Sequence, residues 1–291
     1  MEANLRWGLV TAVAPIAWGT TYFVTQQWLP AETPLWGGAI RALPAGLLLL
    51  AIRRRLPRGE WWWKALVLGS LNMGAFFALI YVSAQLLPSS IATTIMATSP
   101  MAMMLIAWPI IRERPRLLPL AGAVLGVAGV FLMVATGASA IDPLGVLASL
   151  SAIAISSVGY ILTKKWNPSG DLLSVTSWQL IAGGLVLLPI ALAVEGAPPT
   201  LDPPAVAAFA YISVVATALA YVAWFSGLRH LAAGTVGLIG LLNPVTGVLL
   251  GTLAAAEVLE QRQVLGLALV LVGILLGQPL FTRLRRGRMR R

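Results

Sequence analysis

The 291-residue chain contains no cysteine, one histidine and only 10% charged residues. Without cysteine there can be no disulfide framework, thiolate nucleophile or sulfur-ligated metal. The scarcity of charge excludes an ordinary soluble domain, which carries about 25% charged residues. Carboxylates are the rarest of all: ten Asp and Glu face twenty Lys and Arg, and none falls inside a long apolar run. That removes the usual carboxylate relay for proton coupling. It also removes the base, nucleophile or metal cluster that an enzyme embedded in a bilayer would need. No metal site and no cofactor are expected. What the chain has in abundance is apolar surface, with 58% hydrophobic residues and a mean hydropathy of +0.86. Its solvent is lipid.

Ten apolar runs separated by charged or Pro-rich breaks are predicted at 7–28, 34–52, 64–87, 91–111, 117–136, 144–163, 173–194, 204–228, 231–255 and 264–282. Each matches the roughly 20 residues needed to cross about 30 Å of hydrocarbon. The fold class is thus all-α integral membrane, with ten transmembrane helices. No cleavable signal peptide is expected, because the first run is long enough to span and has no clear cleavage site.

The runs repeat. An offset of 144 residues places Pro100 on Pro244, Glu113 on Glu257, Gly122 on Gly266 and Gly129 on Gly273. An offset of 138 places Tyr22 on Tyr160, Trp28 on Trp166, Pro30 on Pro168 and Gly46 on Gly184. Five crossings per copy are an odd number, so the second copy, 141–291, would run inverted relative to the first, 1–140. Inverted repeats are an architecture of secondary transporters, with the substrate held between them near mid-membrane.

The net charge of +10 sits in short loop clusters rather than in a patch suited to nucleic acid. With a cytoplasmic N-terminus, every Lys and Arg except Arg41 and Arg262 falls inside, including Arg53, Arg54, Arg55, Lys64, Arg112, Lys164, Lys165 and the arginine-rich tail from Arg283. The positive-inside rule therefore predicts both termini in the cytoplasm. Trp61-Trp62-Trp63 beside Lys64 reads as an anchor at the headgroup level.

Ala97-Thr98-Ser99-Pro100, an apolar helix, Arg112-Glu113-Arg114-Pro115 and a Gly-rich span form a pattern in the first half. Leu242-Asn243-Pro244, a helix, Glu257 and a second Gly-rich span repeat it. This pattern resembles the EamA-type carriers of the drug/metabolite transporter superfamily, and within it the YddG-type exporters of aromatic amino acids. The resemblance implies a bacterial-type inner-membrane carrier that exports metabolites by alternating access. Spans 1, 3, 4, 6, 8 and 9 would line a cavity. Spans 5 and 10 would stand apart, holding the fold or a homodimer contact.

Candidate substrate-binding residues are the aromatics Trp18, Tyr22, Phe76, Tyr160, Tyr221 and Trp224, able to stack on an aromatic solute. Asn72 and Asn243 join them as amides that need a partner in lipid, and Met96 as an adaptable thioether. Core or lipid-facing packing explains aromatics and methionines almost as well, and helix packing explains many of the Ser and Thr residues. Gating or structural roles are expected for Pro100 and Pro244, which free a backbone carbonyl, and for Arg41 with its repeat partner Gln179. Arg41 is close enough to a span end to snorkel to headgroups. The expected cargo is amino acids, aromatic ones foremost. A sugar-phosphate or nucleotide-sugar carrier would want two or more cations in the cavity, and a channel would lack alternation between closed states.

Overall fold

In the computed structural model, residues 2–30, 32–87, 89–134, 142–167, 170–255 and 261–277 are described. Pro88, Pro168, Glu257, Glu260 and the arginine-rich tail lie outside them, as does the side chain of Tyr22. The described residues form helices and no strands. They are α1 (Glu2–Trp28), α2 (Pro34–Arg53), α3 (Trp61–Gly69), α4 (Ala75–Leu86), α5 (Ser89–Met96), α6 (Ser99–Ile111) and α7 (Leu117–Val134). The series continues with α8 (Pro143–Trp166), α9 (Leu172–Val194), α10 (Pro203–Ser213), α11 (Ala220–His230), α12 (Ala233–Gly240), α13 (Leu242–Ala255) and α14 (Gln261–Leu276).

A π turn, Ser70–Gly74, joins α3 to α4, and another, Val214–Leu219, joins α10 to α11. Six helical rods are long and apolar enough to cross a membrane, and four shorter apolar helices accompany them. The irregularities fall at equivalent places. The π turns begin 144 residues apart, and the breaks before α6 and α13 each precede a proline, Pro100 and Pro244.

Packing repeats as well. α2 lies along α9 and α7 along α14, while α1 packs on α11 and α13, and α8 on α4 and α6. Exchanging the two halves returns the same pairs. The glycines give the register. A methyl group on Gly122 would strike the Gly273 carbonyl, and one on Gly129 would lie 2.5 Å from the Gly266 carbonyl oxygen. Gly46 is pressed against Ile181, and Gly184 against Leu43. Each contact is the repeat image of its partner, and rising numbers on one helix meet falling numbers on the other. The equivalent helices are antiparallel. Small residues allow this approach, which in lipid supplies the dispersion contact that water would otherwise drive.

The few carboxylates are spent on helix starts, where unpaired N–H groups and the positive end of the macrodipole favour an anion. Asp142, Asp171 and Asp202 cap their own helices. Glu195, at the end of α9, accepts the Leu35 and Trp36 amides of α2 at 2.7 and 2.9 Å. At the opposite end of this pair Arg53 donates to Asp171. Partial burial is the largest single influence on the Asp171 carboxyl and pushes its pKa up. Hydrogen bonds from Arg53, the Ser174 amide and the Ser174 hydroxyl, with the Arg53 charge, together outweigh it and hold the pKa below 3.8. A depressed folded pKa adds stability at neutral pH that is lost as pH falls through it.

Gly122→Leu should force α7 from α14 and lower stability by about 1–3 kcal/mol through overpacking. Gly37→Ala, with nothing within 4 Å of the added carbon, should leave it unchanged. Thermal unfolding in detergent micelles measures both.

Candidate functional site

Aromatic side chains from α1, α8 and α11 converge where the two halves meet. Trp18 lies 5.3 Å from Tyr221 and 5.2 Å from Trp224, centroid to centroid, and both pairs are tilted. Tyr160 meets Trp224 edge-on at 5.6 Å and Phe225 at 6.0 Å. Tyr160, Tyr221, Trp224 and Phe225 are buried, and Trp18 is half-buried. Tilted and edge-on rings are the favoured arrangement, because positive ring edges meet negative faces.

The π turn explains how the cluster is held. Widening a helix by one residue disturbs its i→i−4 ladder, and an orphaned carbonyl in lipid must find another donor. The Ala216 oxygen, within the second π turn, receives the Trp18 indole N–H at 3.1 Å and an Arg41 Nη2 hydrogen at 3.1 Å. Arg41 Nε donates to the neighbouring Thr217 hydroxyl at 3.0 Å. The Arg41 guanidinium lies over the Phe77 ring, 5.3 Å from its centroid. Arg41 therefore turns inward, correcting the expectation of snorkelling. Bonds to the Ala216 carbonyl and the Thr217 hydroxyl, with the Phe77 ring face, hold it there.

The first π turn has the equivalent partner. Gln179, at the position matching Arg41, accepts from Asn72 Nδ2 at 2.7 Å and from the Thr163 hydroxyl at 3.2 Å. Asn72 and Gln179 are fully buried. They hold α3–α4 to α8 and α9 and stand apart from the aromatic cluster. Phe76 is half-buried and packs on Phe77 at 5.6 Å, which brings it to Arg41's side. Met96, half-buried, ends α5.

At the α12–α13 break, a carbon added to Gly240 would lie 3.2 Å from the Trp224 ring. Gly19, next to Trp18, lies against the Asn243 carbonyl in the same way. Trp224 Nε1, Asn243 Oδ1, Asn72 Oδ1 and Gln179 Nε2 are buried and unpartnered, and a buried unpaired polar atom costs about 1–3 kcal/mol. Pro100 is buried against Gly237, while Pro244 opens α13 without comparable burial.

The arrangement is asymmetric along its length. α6 packs along α12, with Met104 against Gly234, whereas among the described residues the equivalent pair, α5 and α13, makes no comparable contact. At the closed end Glu113 ties three elements together. It pairs with Lys164 of α8 and accepts the Ala233 amide that starts α12 at 2.8 Å. At the other end a cleft of about 530 Å³ opens between Trp28, Pro30, Thr200, Leu201, Asp202 and Ala205.

Phe77, Phe225 and Ala216 are the contributors that sequence reading missed. Phe225 adjoins Trp224, but Ala216 offers only a backbone oxygen, which no side-chain pattern signals. In the tryptophan triplet Trp62 and Trp63 are exposed, and the Lys64 ammonium sits within 5.8 Å of the Trp61, Trp63 and Trp166 rings. Among the described residues no group of His, Asp or Glu could hold a metal ion.

A polytopic helical chain with equivalent halves and a polar-aromatic centre is a membrane carrier in form. The model of the EamA-like transporter family matches it twice, over 5–135 and 143–277, and the chain belongs to that family, as a multi-pass membrane transporter. It is 34% identical to Protein PecM of Dickeya dadantii (strain 3937), over 95% of this chain and 94% of that protein. It is 29% identical to the transporter YwfM of Bacillus subtilis (strain 168), over 94% of each. It is 26% identical to the inner membrane transporter YedA of Escherichia coli (strain K12), over 90% and 87%. A solved crystal structure shares the fold, with a TM-score of 0.83 at 19% identity, covering 96% of this chain and 98% of that one.

Asn72→Leu should strand Gln179 in the bundle and cost about 1–3 kcal/mol. The double variant Asn72→Leu/Gln179→Met should recover much of that loss in micelle unfolding, because both polar groups then leave together.

Proposed function

We propose that the protein exports amino acids, aromatic ones foremost, and related amphipathic metabolites across a bacterial inner membrane by alternating access. In this reading ten helices cross the bilayer as two inverted five-helix repeats, 1–140 and 141–291, with both termini cytoplasmic. The observation that carries it is the aromatic cluster between the halves, with an unpartnered indole N–H and an unpartnered amide oxygen beside it. Rings can stack on an apolar body while these atoms meet its polar ends.

The asymmetry of the fourth and ninth rods supports alternation. The end bearing the basic loops is closed by α6 on α12 and by Glu113, and among the described residues α5 and α13 make no comparable contact at the other. Exchanging these roles between equivalent helices would open the basic end, as expected when two repeats rock about a central site. The exposed apolar side chains of α7 and α14, Phe131 and Leu275 among them, suit lipid or a homodimer contact. The absence of intramembrane carboxylates favours facilitated export down a gradient.

In proteoliposomes, labelled aromatic amino acids should show saturable flux and counterflow. Flux of sugar phosphates without any amino-acid flux would overturn the reading. Trp18→Ala, Tyr160→Ala and Trp224→Ala should each cut transport severalfold in normally folded protein; unchanged flux in all three would remove the aromatic site. Because the chain has no cysteine, a Met104→Cys/Gly234→Cys pair can be oxidised without side reactions. The resulting disulfide should stop counterflow, and reduction should restore it.

A further inference from the structure

The equivalence of Arg41 and Gln179 separates what that position must do for the fold from what it does only in the first half. Both residues sit on the second rod of their repeat, and both reach the π turn of the opposite half's third rod. Gln179 meets its π turn through the Asn72 side chain alone, as a neutral and completely buried amide. Holding a π turn therefore does not require charge. A guanidinium at mid-helix costs about 2.5–3.5 kcal/mol against lipid, so its retention calls for a second role.

The surroundings of Arg41 indicate that role. Its guanidinium shares the Ala216 oxygen with the Trp18 indole, which places it at the edge of the aromatic cluster. Phe77 flanks it at 5.3 Å, and Trp18, which shares its acceptor, packs on Tyr221. It is half-buried. Among the described residues it is the one charged side chain placed away from the ends of the helical rods. A guanidinium offers five N–H donors in a planar fork, so it can hold the π turn and bind a carboxylate together. Low-dielectric aromatic walls strengthen such a charge-assisted bond.

We infer that Arg41 is the anion-recognising residue of the transport site and takes the carboxylate of an amphipathic aromatic solute. This rests on the reading of the aromatic cluster as the substrate site. Stacking on Trp18 and Tyr221 would then set the ring beside the charge, and the geometry selects solutes whose acid group lies a short linker away from an aromatic body. A single guanidinium suits a monoanionic carboxylate better than a phosphate dianion.

The test is ligand binding to the purified full chain in micelles, followed by tryptophan fluorescence, with three probes. Phenylalanine has both charged groups, 3-phenylpropionate only the carboxylate, and phenethylamine only the ammonium. Arg41→Gln installs the side chain that serves the equivalent position. It should weaken both carboxylates roughly tenfold or more, the loss expected for a charge-assisted bond, and leave phenethylamine close to its original affinity. Arg41→Lys should fall between, keeping the charge but not the fork. If Arg41→Gln does not fold, Arg41→Lys carries the comparison, with the carboxylates again losing more than the amine. Equal weakening of all three probes would mean a structural role only, and no weakening would also overturn the inference. If the unaltered chain binds none of the three, the aromatic-substrate reading itself fails and the inference falls with it.

Discussion

Lipid cannot hydrogen-bond a backbone carbonyl, and the centre of this protein is organised around that constraint. The second π turn presents the Ala216 oxygen inside the bundle, and two side chains from separate helices are drawn to it. One is Trp18, which then stands against Tyr221 and Trp224. The other is Arg41, which brings a positive charge beside the rings. A local irregularity in one rod thus ties down two other helices. The first π turn is answered differently, by Asn72 with Gln179 and Thr163. One π turn is met by a charged, half-buried side chain on its backbone, the other by buried neutral side chains that bond to one another.

This division suits a carrier. Close helix pairs, α2 with α9 and α7 with α14, join the halves through glycine contacts that repeat under exchange. Such pairs resist deformation because interiors are close-packed. The interrupted rods carry the asymmetry instead. α6 and α12 touch while α5 and α13 do not to a comparable extent, and Glu113 secures the closed end with one carboxylate shared between Lys164 and a helix start. Rigid pairs around broken rods are the arrangement the proposed alternation would use, since close-packed elements favour discrete states over continuous deformation.

The fold was legible in the sequence to the extent that lipid imposes a length and a composition. The run at 34–52 appears as Pro34–Arg53, and that at 144–163 as Pro143–Trp166. The repeat offset singled out Gly122, Gly129, Gly266 and Gly273, and the structure pairs them crosswise, Gly122 with Gly273 and Gly129 with Gly266. The site was less legible. Helices apolar all round carry little periodic signal about which face is buried, so buried Trp224 and exposed Trp108 look alike in the sequence. The segments Ser70–Gly74 and Val214–Leu219 contain nothing that forbids an ordinary helix, and their π form depends on neighbours.

Composition, spacing and charge by themselves determined an all-helical chain with lipid as its solvent, two related halves and basic loops segregated from acidic ones. These features follow from bilayer thickness and the cost of moving charge, which act on every residue regardless of its neighbours. Only the tertiary structure decided that Arg41 faces inward, that Asn72 is sealed away with Gln179, and that Trp18 reaches Ala216. The first and last depend on the Ala216 backbone oxygen, which has no side-chain signature, and the second on side chains that meet only when the helices are packed.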